Sequence, residues 1–335
     1  MSLRSRIRNR QERLLHQIGA RLIISLGNFP MARIRPRALV AAHLVCIVFG
    51  CAFAHGHGYV GERFFPPTIS TDDPFAVDEL ALPTLFYTKN GPSEDGPGNH
   101  QFNAGFEFDK EIFPHFSLGV SDTYIVVKPD HGDSVKGWDN LELTAKYELW
   151  HSPAHEAIIA AGAEAEIGGT GSQSIGRSPY TTLAPTFYFG KGLGDLPDRF
   201  GALRPFAITG TIGQTFPLAG DESNELEWGF AVEYSLPYLH AQVRDIGLPA
   251  PFKDMTPLVE FAMSTGENRG ERGLTTGTIN PGVLWDTRQF QLGVEANIPI
   301  NSRSGAHVGV TLQVWIFIDD LVPKAFGHPI FGGDR

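Results

Sequence analysis

The sequence predicts an all-β protein, a transmembrane antiparallel β-barrel of about twelve strands. From His307 to Ile318, every second residue is a bulky aliphatic, and a strand of this length can cross a bilayer core. An export signal precedes the strand-like segments, and clusters of turn residues separate them throughout the chain. A soluble β-sandwich is the alternative, but its strands usually have about 5 or 6 residues.

The export signal occupies residues 31–54. An Arg-rich stretch at 33–37 precedes an apolar run that ends at Ala52-Phe53-Ala54, a signal-peptidase pattern that places the mature N-terminus at His55. An uncleaved anchor is an alternative, although the apolar run is shorter than the roughly 20 residues of a spanning helix. A lipoprotein that begins at Cys51 is a second alternative. The basic residues 1–30 are interpreted as an extension from an incorrectly chosen upstream start codon.

Removal of the leader makes the chain strongly acidic. Residues 1–54 hold nine Arg, no Lys and one Glu, so 18 of the 27 basic and 36 of the 37 acidic residues remain, a formal charge of −18. This charge argues against nucleic-acid binding. Both cysteines, Cys46 and Cys51, also lie in the leader, so the mature chain has no disulfide and no thiol ligand.

The mature chain divides into three predicted parts. Residues 55–82 are expected to form an irregular periplasmic entry segment, residues 83–318 the barrel, and residues 319–335 a C-terminal tail. Because the long connection 237–255 could contain a short helix or another strand, ten and fourteen strands remain alternatives. The predicted strands are 83–90, 101–109, 116–127, 138–150, 156–168, 180–190, 204–215, 224–236, 256–265, 275–285, 289–299 and 306–318.

Alternation along the strands assigns an apolar face to lipid and a polar face to the lumen. Ionised groups are costly on the lipid face, so the polar sets of 138–150 and 289–299 point inward, and the other strands follow the same rule. The predicted lumen carries one cation, Lys146. Its predicted carboxylates are Glu142, Glu148, Glu164, Glu166, Glu227, Glu233, Glu260 and Glu295.

Two interpretations of this acidic lining stay open. The carboxylates could be solvated interior groups or could pair with Arg side chains from loops that plug the lumen. Alternatively, they could line a water-filled path that favours cations, since rings of Asp and Glu attract cations and repel anions. Aromatic residues near strand ends, including Trp138, Trp150 and Phe317, are expected to form interfacial girdles, with a carbohydrate-stacking surface as the alternative.

Four short motifs are informative: Gly137-Trp-Asp-Asn-Leu-Glu-Leu143, Val232-Glu-Tyr-Ser-Leu-Pro-Tyr-Leu239, Gly277-Thr-Ile-Asn-Pro-Gly-Val283 and Phe317-Ile-Asp-Asp-Leu-Val-Pro323. With these motifs the chain resembles the outer-membrane barrel family called putative MetA-pathway of phenol degradation, within the transport-type outer-membrane proteins. The resemblance extends from about Gly58 to about Phe331. It implies an outer-membrane barrel and a link to aromatic degradation, but no catalytic residues. Unlike many barrels, the chain continues beyond its last predicted strand.

The mature N-terminus would carry the sequence His55-Gly56-His57. A free amine, two backbone amides and the His57 imidazole could form a planar four-nitrogen site for Cu(II) or Ni(II). The alternative is a leader that binds no metal. No other cofactor is expected.

Two function classes follow. The first is an outer-membrane channel or uptake protein for small solutes, which could be hydrophobic or aromatic, in a Gram-negative bacterium. The second is a non-conducting barrel with an enzymatic, metal-handling or structural role. The mature chain has no G-x-S-x-G, H-E-x-x-H, P-loop or dinucleotide motif, so an enzyme is not expected. The predicted partners are lipid and a small-molecule solute, not nucleic acid.

Overall fold

The computed structural model describes residues 58–92, 97–220, 222–323 and 325–332, and it shows a closed antiparallel barrel of twelve strands. Consecutive strands pair around the ring, and the first barrel strand pairs with both the second and the last. The twelve-stranded fold predicted from the sequence is confirmed. The barrel strands are β3 Glu79–Asn90, β4 Asn99–Phe113, β5 Phe116–Pro129, β6 Val135–Trp138 with β7 Leu141–Ser152, β8 Ala157–Ile167, β9 Thr182–Gly192, β10 Phe206–Pro217, β11 Glu225–Tyr234, β12 Met255–Gly266, β13 Thr275–Asp286, β14 Phe290–Pro299 and β15 Gly309–Ile316.

The strands β6 and β7 together occupy one position in the barrel. Both pair with β5, and the chain between them leaves the ladder at Asp139 and Asn140. The buried Asn140 side chain stabilises this break by donating hydrogen bonds to Glu166 (2.7 Å) and to the Ser178 carbonyl (2.9 Å). Residues 138–150 therefore occupy a single strand position of the barrel, as predicted, but the ladder of backbone hydrogen bonds is interrupted at Asp139 and Asn140.

The barrel is apolar outside and polar inside. On β15, Leu312 is 51% exposed, whereas its neighbour Gln313 is 6% exposed and contacts Thr84. The same alternation separates exposed Val294 from buried Glu295 on β14. A soluble sandwich would bury the aliphatic side chains, so this distribution is that of a barrel surrounded by lipid.

The two ends of the barrel differ. One end, here called the terminal end, holds both ends of the barrel chain, the short connections 114–115, 153–156 and 287–289, and the long connections 193–205 and 235–254. The opposite end, here called the loop end, holds the connections that follow Asn90, Pro129, Ile167, Pro217, Gly266 and Pro299. The long connections contain the helical turns Asp198–Leu203, Leu236–Tyr238, Leu239–Val243 and Phe252–Asp254. No additional strand occurs in these two connections, and no helix of the described residues is long and apolar enough to span a membrane.

The chain before the barrel forms a hairpin and then an irregular stretch. The hairpin pairs β1 Tyr59–Val60 with β2 Arg63–Phe64, and residues 65–78 have no regular structure. The sequence analysis placed residues 55–82 in an irregular periplasmic segment, but residues 79–82 already belong to β3. Residues 65–78 lie among inward-facing side chains of the barrel wall, as described below.

The C-terminal tail packs near the terminal end. It begins with a helical turn, Ile318–Leu321, and later donates backbone hydrogen bonds from Ile330 and Phe331 to carbonyls of β4. Phe317 is 2% exposed and packs its ring edge against Phe64. The expectation that Phe317 belongs to an interfacial girdle is therefore wrong, whereas Trp138 and Trp150 are exposed on the barrel exterior.

Candidate functional site: an acidic lumen filled by the N-terminal segment

The candidate site is the inner wall of the barrel. Glu233, Glu260 and Glu295 are at most 1% exposed, and Lys146 is also buried. The other predicted carboxylates are more accessible: Glu142, Glu148, Glu164 and Glu166 are half-buried, and Glu227 is exposed. All nine residues lie on the polar face of their strands, but they separate into two groups by depth and by contacts.

The more accessible group lies toward the loop end. Glu142 interacts electrostatically with Glu164, Glu166 and Glu227, and also with Asp72. We call Glu142, Glu164, Glu166 and Glu227 the acidic vestibule. Three of them accept a hydrogen bond from an uncharged side chain. Tyr188 donates to Glu164 (2.9 Å), Asn140 to Glu166 (2.7 Å) and Thr215 to Glu227 (2.8 Å). These bonds fix the carboxylate positions without neutralising their charge.

The second group of carboxylates binds the chain that precedes the barrel. We call residues 65–78 the plug segment. Its turn at Ile69, Ser70 and Thr71 points three backbone N–H groups at Glu260, with N···O distances of 2.7, 2.9 and 2.7 Å. The Thr71 hydroxyl donates a fourth bond to Glu260, at 2.8 Å. Such a set of converging N–H donors is a strong recognition element for one carboxylate.

Four further wall side chains contact the plug segment. Ser70 donates to Glu295 (2.8 Å), and Gln291 donates to the Pro67 carbonyl (2.7 Å). On the opposite wall, Lys146 donates to Asp72 and to the Asp73 carbonyl, each at 2.8 Å, and Glu148 accepts from the Ala76 N–H at 3.0 Å. Because Glu260, Glu295 and Lys146 lie near the middles of their strands, the tip of the plug segment reaches about half the barrel depth.

Two glycines of the wall make room for the tip. A Cβ atom on Gly229 would lie 2.6 Å from Thr71 Cγ2, and one on Gly293 would lie 2.6 Å from Ile69 Cδ1. Since these distances are well inside van der Waals contact, the side chains of the tip occupy space that larger wall residues would fill. The close fit explains why glycine occurs at these inward positions of β11 and β14.

Ionic contacts anchor the base of the plug segment at the terminal end. The fully buried Arg63 pairs with Glu156 (3.2 Å) and donates to the Pro205 carbonyl (2.9 Å). The Tyr238 ring lies under its guanidinium, 3.7 Å from the ring centroid. Lys110 pairs with buried Asp78 (2.7 Å) where the plug segment joins β3. Loss of the Glu156 partner would leave the buried Arg63 charge unpaired. These contacts are therefore expected to fix the base of the plug segment.

Some buried polar atoms of the wall have no partner. Among the described residues, both side-chain polar atoms of Asn280, Oε1 of Glu295 and Oε1 of Gln291 accept or donate no hydrogen bond. Asn280 is 0% exposed and lies directly opposite Glu260 in the strand register. The wall therefore has more hydrogen-bonding capacity in this region than the plug segment uses.

The plug segment itself carries a titratable group. Burial raises the pKa of the Asp73 carboxyl to about 6, and the Lys146 ammonium opposes this rise, while Asp72 and Asp109 add to it. Asp73 also accepts a hydrogen bond from the Phe75 N–H at 2.8 Å. The ionised form of Asp73 is thus disfavoured in the seated plug segment relative to a solvated aspartate.

The inward carboxylates were predicted from the sequence, but their binding partners were not. One alternative expected Arg side chains from loops to meet these carboxylates; the structure instead uses backbone N–H and hydroxyl donors of residues 69–71. Three apolar residues, Phe65, Ile69 and Phe75, are the sequence feature that indicates burial of this segment, which was expected to be irregular and periplasmic. Phe65 and Phe75 in fact form part of a buried cluster with Ile158.

The predicted metal site lies at the mature N-terminus. His55 and His57, the predicted Cu(II) or Ni(II) ligands, lie outside the described residues. Within the part that the structure describes, no group of three or more His, Cys, Asp or Glu side chains could hold a metal ion. Two polar side chains at the terminal end have structural contacts: Ser235 caps a helical turn, and His240 pairs with Asp245 (3.1 Å).

No family model matches the chain, and no curated protein matches it. Similar solved structures include the KdgM porin in complex with disordered oligogalacturonate, at 12% identity over 70% of this chain and 98% of that one, with a TM-score of 0.40. The COG4313 outer membrane channel from Pseudomonas putida F1 is 11% identical over 75% of this chain and 99% of that one, with a TM-score of 0.49. The Salmonella typhi outer membrane phospholipase (OMPLA) dimer with bound calcium is 9% identical over 76% and 94%, with a TM-score of 0.36.

Proposed function

We propose that this protein is an outer-membrane uptake channel for small solutes and that its own plug segment closes it in the conformation described here. The observation that carries the proposal is the inner wall: the acidic vestibule, which is the more accessible group of carboxylates, faces the loop end, while the carboxylates below it are covered by residues 65–78. The exposed aliphatic exterior supports a membrane location. In this assignment the loop end faces the outside of a Gram-negative cell and the terminal end faces the periplasm.

Passage through the barrel requires the plug segment to withdraw. Its tip is held by hydrogen bonds and one ion pair, with no covalent link to the wall, since residues 55–335 contain no cysteine. Networks of this kind can have two discrete states when one element moves as a unit. The buried Arg63 pair at the base would remain in place and act as the fixed point of this movement.

The second candidate is a non-conducting barrel with a structural or enzymatic role. The observation that favours it is the complete burial of Glu260 by the plug segment, because four hydrogen bonds to one carboxylate can fix a segment permanently. The candidates differ in one measurable property: only the channel passes current when the plug segment withdraws.

The acidic vestibule predicts cation preference for the open state. Reversal potentials in a planar bilayer under a KCl gradient measure this preference, and replacement of Glu142, Glu164 and Glu227 together by Gln should lower the cation-to-anion permeability ratio. The preference of the wild-type channel should also weaken toward 1 M salt, where the screening length falls to about 3 Å. Absence of any current, or a ratio that the triple substitution leaves unchanged, would refute the proposal in this form.

Two observations bear on the identity of the solute. The motif resemblance to the MetA-pathway family supports an aromatic or hydrophobic solute, whereas the acidic wall supports a cationic one. The Cu(II) or Ni(II) site proposed at His55 and His57 involves residues that precede Arg63 in the sequence. It plays no part in the proposed passage through the lumen.

A further inference from the structure

We infer that Glu260, Asn280 and Glu295 form a binding site for an organic cation rich in N–H donors, and that the tip of the plug segment occupies this site as a substitute ligand. We call these three residues the mid-barrel site. The inference rests on the proposed function, because the site becomes accessible only when the plug segment withdraws. It names the solute class that this channel would accept.

The three side chains converge on one region of the wall. Asn280 of β13 is the register partner of Glu260 of β12, and both are fully buried on the inward face. Glu295 of β14 lies beside Gly282 of β13, two residues after Asn280 on the same face, since its Cγ is 2.5 Å from the position that a Cβ on Gly282 would take. Glu295 and Glu260 are also close enough to interact directly.

The bonds that the plug segment makes define the chemistry of the site. Glu260 accepts three N–H groups and one hydroxyl, and Glu295 accepts one hydroxyl. Every group that the plug segment offers to these carboxylates is a donor. Among the described residues, no Lys or Arg side chain bonds to either carboxylate. These two buried carboxylates therefore accept hydrogen bonds from uncharged donors only.

The unused hydrogen-bonding atoms indicate that the plug segment is an incomplete ligand. Oε1 of Glu295 and both polar atoms of Asn280 have no partner in the part of the chain that is described, although both residues are at most 1% exposed. Buried polar groups are nearly always paired. A ligand with more N–H groups than residues 69–71 supply would pair the two oxygen acceptors and balance the carboxylate charge.

An organic ammonium or guanidinium ion satisfies these requirements. An ammonium group has three N–H donors and a guanidinium has five, and each carries the positive charge that the two carboxylates lack. The acidic vestibule above the site would concentrate such cations at the loop end. Since solute and plug segment compete for the same acceptors, cation binding would shift the population toward the withdrawn state.

Spermidine is a suitable probe, and calorimetric titration of the full-length protein in detergent measures its binding. Asn280→Leu removes an acceptor that makes no bond to the plug segment, so it should weaken spermidine binding by about tenfold without releasing the plug. Asp245→Asn is the control, since it removes a carboxylate charge in the exposed connection 235–254, outside both the acidic vestibule and the mid-barrel site, and it should leave the affinity nearly unchanged.

A second variant tests competition directly. Pro74 Cγ lies 3.4 Å from the position that a Gly190 Cβ would take. The Cβ atoms of the pair Pro74→Cys and Gly190→Cys would thus lie within about 5 Å, compatible with a disulfide after a small adjustment. Oxidation would fix the plug segment without altering the mid-barrel site, and it should reduce spermidine affinity at least about tenfold relative to the reduced protein.

Three results would overturn the inference: equal spermidine affinity of the oxidised and reduced proteins, equal affinity of Asn280→Leu and wild type, or displacement of spermidine by equimolar Mg²⁺. The first would place binding in the acidic vestibule, and the last would show a site for any cation. Because calorimetry requires no transport, the binding data decide this inference even if the protein passes no current in a planar bilayer. Absence of current through the reduced protein would refute only the proposed channel function.

Discussion

Glu260 is predicted to be the side chain that keeps the plug segment seated, and Glu260→Gln should release it. The carboxylate accepts four hydrogen bonds, one at Oε1 from Ile69 and three at Oε2 from Ser70 and Thr71. The amide of glutamine has the same shape but retains only one acceptor oxygen. If that oxygen takes the Oε2 position, the amide NH₂ faces the Ile69 N–H, so that two donors oppose each other.

The magnitude follows from these four bonds. A buried N–H without a partner costs about 2 kcal/mol. Loss of the negative charge weakens the other three bonds by about 0.5 kcal/mol each, since hydrogen bonds to charged groups are stronger than neutral ones. The seating free energy should therefore fall by about 3 to 4 kcal/mol, which increases the withdrawn population roughly 100- to 1,000-fold.

Hydrogen exchange of the amides of residues 69–71 measures this change, because exchange requires the plug tip to leave Glu260. Protection factors should fall by the same ratio in Glu260→Gln, while amides of β12 and β13 keep their protection. Glu227→Gln is the matched control: it makes the same charge change on the inner wall, but its carboxylate bonds to Thr215 instead of the plug segment. Unchanged protection of residues 69–71 in Glu260→Gln would show that the tip is held by packing rather than by this carboxylate.

Three further predictions concern the wall, the plug segment and the leader. Leu312→Arg should impair assembly by about 2 to 4 kcal/mol because it places a charge on the lipid face, whereas Glu227→Arg, at an exposed inward position, should fold normally; equal refolding yields in lipid would contradict the face assignment. Because the pKa of Asp73 is raised to about 6, the seated state favours the protonated carboxyl, so protection of the Phe75 amide should decrease as pH rises from about 4 to above 6. In Asp73→Asn this pH dependence should disappear, and its persistence would assign the effect to other carboxylates. N-terminal sequencing of the membrane protein should begin at His55, and a start at lipidated Cys51 or within residues 1–30 would contradict the predicted processing.

The barrel was predictable because its physical constraints act locally on each strand. A lipid-facing position requires an apolar side chain and an inward one tolerates charge, so alternation alone identifies strands such as β7 and β14 and their faces. Strand ends were placed less well. The predicted strand 306–318 ends at Ile316, because Phe317 turns inward to pack on Phe64, a contact between residues far apart in sequence.

The plug segment could not be predicted by the same reasoning. Residues 65–78 have neither a period of 2 nor one of 3.6, and proline and aspartate residues are typical of solvent-exposed loops. Their position depends on partners such as Glu260 and Lys146, which are remote in sequence and whose pairing the local pattern does not encode. Gln313, the inward neighbour of Leu312, is buried and bonded to Thr84, so it is unsuitable as an inward control for Leu312→Arg.

The most direct test of a plug-gated channel is the conductance of the Pro74→Cys and Gly190→Cys double variant in a planar bilayer. Wild type controls for the oxidant, and the single variants Pro74→Cys and Gly190→Cys control for each substitution alone. We predict that the oxidised double variant is silent and that reduction restores discrete, cation-preferring current steps of the wild-type size. Steps of equal size and frequency before and after reduction would mean that ions pass while the plug segment stays seated, and this would contradict the account.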